Sequence, residues 1–324
     1  MEKEEGIGMR FPVAKLGLGL TLAVLLVPAM ARAESSALIL NGVASDPEHT
    51  KKFADWTEAT RKALVDTFGF KADRVLVLAD TKTSKADILD AFARLKPQLT
   101  AADSFFLFFI GHGSFDTEYK FNIYHEDLKG SEYSEMISGL TVGRVVIING
   151  TNASGGAIEN LAGKNRVVVT ATRSGGEGND TLFYEHFLKA FADPAADEDK
   201  DKKLSVWEAF KFAAASVERF YKEQTRLATE HSLISDNGSP KVAADAKEAP
   251  VMARVTAFNV ERAATVADSR LQTMYNDRLA IELEISTLKI NKSSMAEAEY
   301  EKKLDELQLK LAEKTQQIRQ QEKK

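Results

Sequence analysis

The sequence predicts an α/β fold: a three-layer sandwich with a mainly parallel central sheet, followed by a C-terminal α-helical hairpin. Three observations point there. Five short runs are apolar on both faces, at residues 37–41 (ALILN), 74–78 (RVLVL), 105–110 (FFLFFI), 142–148 (VGRVVII) and 166–171 (RVVVTA). Buried parallel strands read this way. Longer amphipathic stretches separate them, as helices crossing a parallel sheet would. Residues 251–324 contain no glycine and carry apolar stripes at helical spacing.

Each element has a local cause. In residues 10–33, Arg10 and Lys15 precede an apolar run over 16–27, and Ala31-Arg32-Ala33 offers a small-x-small cleavage site. This layout predicts a secretory signal peptide over residues 1–33, with Met9 as the true start. The run is shorter than the roughly 20 residues of a spanning helix. The chain is therefore expected to be secreted or periplasmic, with no membrane span after cleavage.

An α/β domain is expected over 34–238. Ser45 and Glu48 have the spacing of a capping box, opening a helix through Phe53, Trp56 and Leu64. A second helix opens at Ser84, carries Ile88, Leu89, Phe92 and Leu95, and stops at Pro97. Residues 239–250 (SPKVAADAKEAP) read as a linker. Beyond it, Met274, Ile281, Ile285 and Leu288 form one stripe, and Leu304, Leu307, Leu311 and Ile318 another. A turn at residues 291–294 separates them, with Ser294 and Glu297 spaced as a capping box. This hairpin, coiled-coil-like over 251–324, would pack on itself and on the first domain, or serve as a docking or self-association arm.

Composition narrows the function. The 324 residues carry a net charge of −5, with 44% hydrophobic and 28% charged residues. That is an ordinary globular balance and lacks the basic footprint of a nucleic-acid binder. With no cysteine in the chain, disulfides, thiolate metal sites and cysteine nucleophiles are all excluded.

In a parallel sheet, ligands sit beyond the carboxyl ends of the strands. The third strand run ends in Gly111-His112-Gly113-Ser114. The fourth is followed by Asn149-Gly150-Thr151-Asn152-Ala153-Ser154-Gly155-Gly156. An imidazole at one strand end would face a small-residue turn at the next, the arrangement a nucleophile–base dyad needs.

Here the chain resembles the legumain-like and caspase-like cysteine peptidases, and among them bacterial extracytoplasmic members of the legumain-like group. Residues 111–122, 167–177, 195–210 and 226–238 carry the resemblance, which spans about residues 36–240. It implies a caspase-like sandwich with His112 as the dyad histidine. It also sets Asn152 where the nucleophilic cysteine should stand. An amide nitrogen, its lone pair delocalised, is no nucleophile at neutral pH, so the thioester mechanism of that group cannot run.

Three readings follow. One is a pseudopeptidase whose cleft holds a peptide or protein partner, with His112 and Asn152 facing it and Gly111, Gly113, Tyr119, Lys120 and Asn122 lining it. Another is a hydrolase in which Ser154 or Thr151 substitutes as nucleophile beside His112. The third is a scaffold whose hairpin mediates assembly.

Residues 197–208 (DEDKDKKLSVWE) follow the ligand order of a calcium loop. Asp197, Asp199 and Asp201 stand at positions one, three and five, the Lys203 carbonyl at seven, Ser205 at nine and Glu208 at twelve. Lys202 occupies the position that ordinarily takes glycine. The alternative is a solvated charge run, with Ser205 and Glu208 capping the next helix. Apart from a Ca²⁺ ion here, no cofactor is expected. The other histidines, His49 among them, show no ligand spacing.

Overall fold

The computed structural model describes residues 34–238, 241–246, 250–259 and 266–322. The predicted signal peptide over 1–33 lies outside the described residues, as do linker positions 239–240 and 247–249.

The first strand, β1 (Ser35–Asn41), leads into α1 (Pro47–Lys62), and β2 (Val75–Leu78) into α2 (Lys85–Leu95). After β3 (Ser104–Ile110) come three short strands, β4 (Gly113–Phe115), β5 (Tyr119–Phe121) and β6 (Leu128–Lys129), and then α3 (Gly130–Ser138). The chain continues through β7 (Arg144–Asn149), α4 (Ile158–Leu161), β8 (Arg166–Thr170), α5 (Phe183–Ala190), α6 (Val206–Glu223) and β9 (Leu233–Asp236). It ends in α7 (Val251–Val255), α8 (Val266–Ile290) and α9 (Glu297–Glu322).

The five predicted strands form the parallel body of a six-stranded sheet in the order β2-β1-β3-β7-β8-β9, which β9 closes antiparallel. Alternate residues of each strand point to opposite faces. Ile39, Phe106, Phe108, Val146, Ile148 and Val169 meet Phe53 and Trp56 of α1, Phe187 of α5 and Phe210 of α6. Leu38, Leu40, Phe105, Phe109, Ile147 and Val168 meet Phe92 of α2, Tyr133 of α3 and Leu161 of α4. A sheet between two helical layers is the predicted sandwich. The strands β4, β5 and β6 form a separate small antiparallel sheet directly after His112.

Several local expectations are corrected. The cap of α1 is Asp46, whose carboxylate accepts from His49 N at 2.9 Å, with Pro47 at the first turn. The second helix does open at Ser84, which forms a capping box with Asp87, but Leu89 is exposed. Ser294 does not cap α9, because its Oγ donates to Asn291 O at 2.7 Å inside a 3-10 turn. Among the described residues, no helix is long and apolar enough to cross a membrane.

The α/β unit also runs further than residue 238. Val242 pairs with Ile234 through mutual backbone hydrogen bonds of 2.9 and 2.8 Å. Residues 251–259, predicted to open the hairpin, pack into the core instead, with Met252, Ala253 and Phe258 buried. The Asp236 carboxylate accepts from Met252 N and Ala253 N at 3.0 Å each, capping α7. The α8–α9 hairpin follows. Leu288 and Ile318 are buried, and the other stripe residues half-buried. Arg254 and Glu282 (2.7 Å) tie α8 to the α/β unit.

Burial raises the Asp236 carboxyl to about 6, against the lowering effect of its hydrogen bonds to Met252 and Ala253 and of the Arg144 charge. An unfolded aspartate titrates near about 3.9. Between about pH 4 and 6 the folded chain therefore holds a proton that the unfolded chain has released, so stability falls as pH rises through this window. The expected loss from this group is about 3 kcal/mol. It is read as the change between pH 4 and pH 7 in the urea midpoint of the wild type relative to Asp236→Asn. Equal changes in both proteins would refute it.

Candidate functional site

The carboxyl ends of β1, β3, β7 and β8 converge. Past β3, Gly111 takes a φ of +145°, which a side chain would strain, and presents His112. Past β7 the turn carries Asn152. Ala153 follows in the left-handed region at φ +56°, a conformation costing a non-glycine residue about 1 kcal/mol or more. Ala153 N donates to Glu177 O at 2.7 Å, which holds this turn against the loop after β8.

Asn152 is clamped by backbone. Its Oδ1 accepts from Gly113 N at 3.0 Å, and its Nδ2 donates to Gly178 O at 3.0 Å. It thus bridges the turn after β3 and the loop after β8, beside His112. Gly155 is fixed sterically, since a Cβ there would stand 2.2 Å from the backbone of Arg173 and Ser174.

The two candidate hydroxyls are committed elsewhere. Ser154 is fully buried, its Oγ 3.3 Å from Thr172 Oγ1 and accepting from Thr172 N at 3.2 Å. Thr151 is fully buried against the Tyr119 hydroxyl (2.8 Å) and Asn149 Oδ1 (2.8 Å). Tyr119 is itself fully buried, so it fills space beneath the site and does not line it. Burial raises its phenol far above the usual range. Lys120 is half-buried and pairs with Asp116 at 2.9 Å, and the Asn122 carbonyl accepts from Val43 N at 3.2 Å.

Around His112 stand residues that sequence reading missed. His49 of α1 lies with its ring centroid 5.0 Å from that of His112, and Phe53 meets His112 edge-on at 5.0 Å. Asp180 from the loop after β8 reaches both histidines, 2.8 Å from His49 Nε2 and 3.7 Å from His112 Nδ1. Asp46 holds the other nitrogen, His49 Nδ1, at 2.7 Å. The Asp46 hydrogen bond raises the His49 pKa, helped by Asp180 and opposed by burial. Burial lowers that of His112, with Asp180 opposing. His49, Gly111, His112, Asn152, Asp180 and Thr181 border a space of about 10 Å³. A larger groove, about 390 Å³ between α2 and α3, shares none of these residues.

Glu177 was also missed. Its carboxylate accepts from Arg173 N (3.0 Å) and His231 N (3.1 Å) and contacts His231 Nδ1 at 2.6 Å. It welds two segments singled out by resemblance and gives His231 a structural partner.

The acidic loop closes on itself. Lys200 and Lys202 both take left-handed backbone, at φ +61° and +67°, so Lys202 adopts the turn that usually takes glycine. Lys202 N donates to Asp197 Oδ2 at 3.0 Å, Asp201 N to Asp199 Oδ1 at 3.1 Å, and Lys203 N to Asp201 Oδ1 at 2.8 Å. Glu208 accepts from Glu198 N (2.9 Å), Ser205 N (2.9 Å) and Ser205 Oγ (2.7 Å). Asp197, Asp199 and Glu208 bring carboxylate oxygens within 4.8 Å of one another, whereas Asp201 lies outside that group. Asp197 Oδ1 is buried with no hydrogen-bond partner. The Ser205–Glu208 capping box is thus formed in this loop, with the carboxylates of Asp197 and Asp199 beside that of Glu208.

No family model and no curated protein matches the chain. Among solved structures it is similar to protein GSU0716 from Geobacter sulfurreducens, at 15% identity and a TM-score of 0.44 over 71% of this chain and 100% of that one. It is similar to caspase-1 from Spodoptera frugiperda at 11% identity and a TM-score of 0.38, covering 63% and 86% of the two chains. It is also similar to the Drosophila initiator caspase Dronc at 13% identity and a TM-score of 0.39, covering 63% and 80%.

Proposed function

We propose that this chain is an exported, non-catalytic member of the legumain-like and caspase-like peptidases, which binds a peptide or protein partner across its strand ends. One observation carries the reading. Asn152, which the resemblance sets at the family nucleophile position, has its amide locked between Gly113 N and Gly178 O beside His112. The burial of Ser154 and Thr151 argues against a hydroxyl replacement. A space of about 10 Å³ takes a single water, not a side chain. A bound peptide would therefore lie over the site, against His112 and Asn152, and insert nothing into it. In this reading the 197–208 loop holds a structural Ca²⁺, for which the orphaned Asp197 Oδ1 is a waiting ligand.

The test is hydrolysis of a mixed-sequence fluorogenic peptide library, with and without calcium, using His112→Ala as control. Turnover is expected to equal that of the control, and turnover abolished in the control would restore a peptidase. In parallel, peptides retained by the immobilised chain should be lost with Asn152→Arg and kept with Leu304→Lys. The reverse pattern would move the binding surface to the hairpin.

A further inference from the structure

The cluster at the strand ends has a chemistry that a peptide cleft does not need. We propose that His49, His112 and Asp180 form a three-ligand site for a divalent zinc ion. The inference stands on the side chains themselves and holds whether or not the cleft takes a peptide.

The donor set is two imidazoles and one carboxylate, the kind found where zinc keeps its fourth position for water. One ligand atom from each residue lies within 4.8 Å of the other two. With bonds of about 2.0–2.2 Å, a tetrahedral ion spaces its ligand atoms about 3.3 Å apart. His49 Nε2 lies 2.8 Å from Asp180 Oδ2 and His112 Nδ1 lies 3.7 Å from Asp180 Oδ1, so each imidazole faces a different oxygen of the one carboxylate, within reach of that spacing. The space between these groups, about 10 Å³, is the size of one water or ion.

The second observation is the outer support. Zinc-binding histidines commonly donate their far N–H to a carboxylate, which fixes ring orientation and tautomer. Asp46 Oδ2 stands 2.7 Å from His49 Nδ1 and supplies that partner. The ion would replace the hydrogen now shared between His49 Nε2 and Asp180, which leaves to solvent. Two carboxylates, Asp46 and Asp180, face the site. Lys52, which also borders the space, is held over the Trp56 ring at 4.7 Å. Imidazole donors select zinc over the magnesium or calcium that the all-oxygen loop at 197–208 would favour.

The experiment titrates Zn²⁺ into the metal-free full chain against a competing chelator dye, and follows Tm with and without Zn²⁺. One ion is expected to bind and to raise Tm. Asp46→Asn keeps the helix cap but weakens the outer support, and should reduce affinity about 10- to 100-fold. His112→Ala and Asp180→Ala should reduce it at least as much. Asp180 is exposed, so its variant tests the site even if His112→Ala misfolds. Asp199→Ala should bind zinc like the wild type. Unchanged affinity in Asp180→Ala, or loss in Asp199→Ala alone, would overturn the site.

Discussion

A chain ending at Pro250 is expected to lose its cooperative thermal transition and to bind hydrophobic dyes. The cut looks harmless in sequence, because it falls at the end of a polar, alanine-rich stretch. In the structure it removes Met252, Ala253 and Phe258, which are at most 2% exposed. Phe258 is the hub of an aromatic cluster, with ring centroids 4.9 Å from Phe191, 5.4 Å from Phe106, 5.5 Å from Phe68 and 6.0 Å from Phe187. Removing one such ring costs about 3–5 kcal/mol. The cut also takes the backbone bonds from Phe258 N to Leu204 O (2.9 Å) and from Val206 N to Thr256 O (2.8 Å). It leaves the Asp236 carboxylate without its two amide donors. Against a typical folding margin of about 5–15 kcal/mol, the combined loss is decisive. Phe258→Ala in the full chain should lower the urea midpoint by the single-ring amount. A chain ending at Asn259 should still melt cooperatively. Cooperative melting of the shorter chain would show that this cluster is peripheral.

Glu208 and Asp199 should separate capping from calcium binding. Glu208 is 7% exposed and gathers the amides of Glu198 and Ser205 together with the Ser205 hydroxyl. Glu208→Ala strands those donors and removes the box that starts α6. A loss of about 3 kcal/mol or more is expected with or without calcium, since hydrogen bonds to a charged group contribute about 1.5–3 kcal/mol each. Asp199→Ala leaves the cap in place and removes a proposed ligand. It should melt near the wild type in a chelator and fail to gain stability when Ca²⁺ is added. At a hundredfold excess over Kd, the wild type should gain about 2.7 kcal/mol. If calcium leaves the wild-type Tm unchanged, the loop is a capped charge run and the calcium site is refuted.

The fold was legible wherever burial is written as continuous apolar sequence. The runs at 37–41, 105–110 and 166–171 fall inside or within one residue of β1, β3 and β8, because buried parallel strands tolerate little else. Strand β9 was not legible. Its four residues LISD carry two polar side chains, and it forms only because β8 offers an open edge. The same holds for Val242, an isolated valine that finds Ile234 in three dimensions. At the site, His112 was visible because glycines flank it at a strand end, and Asn152 because it stands two residues before Ser154-Gly155 in the glycine-rich turn after the next strand. His49 and Asp180 carry no local signal. One sits in the first turn of a helix and the other in a polar loop, and only the convergence of four strand ends makes them neighbours. Tyr119 misled for a related reason. Its proximity to His112 suggested a lining role, but β5 pairs with β4 and turns the ring inward onto Thr151 and Asn149.

The position of β1 also sets an order of events. It is the first strand among the described residues yet lies inside the sheet, between β2 and β3. Its backbone groups on one side wait for Val75–Leu78, and those on the other for Ser104–Ile110. A chain delivered N-terminus first therefore can pair one edge of β1 once residue 78 has emerged, but the other only once residue 110 has. Such non-local pairing slows folding and leaves apolar strands uncovered meanwhile. During that interval β1 and the phenylalanine-rich β3 are the segments a chaperone would meet first.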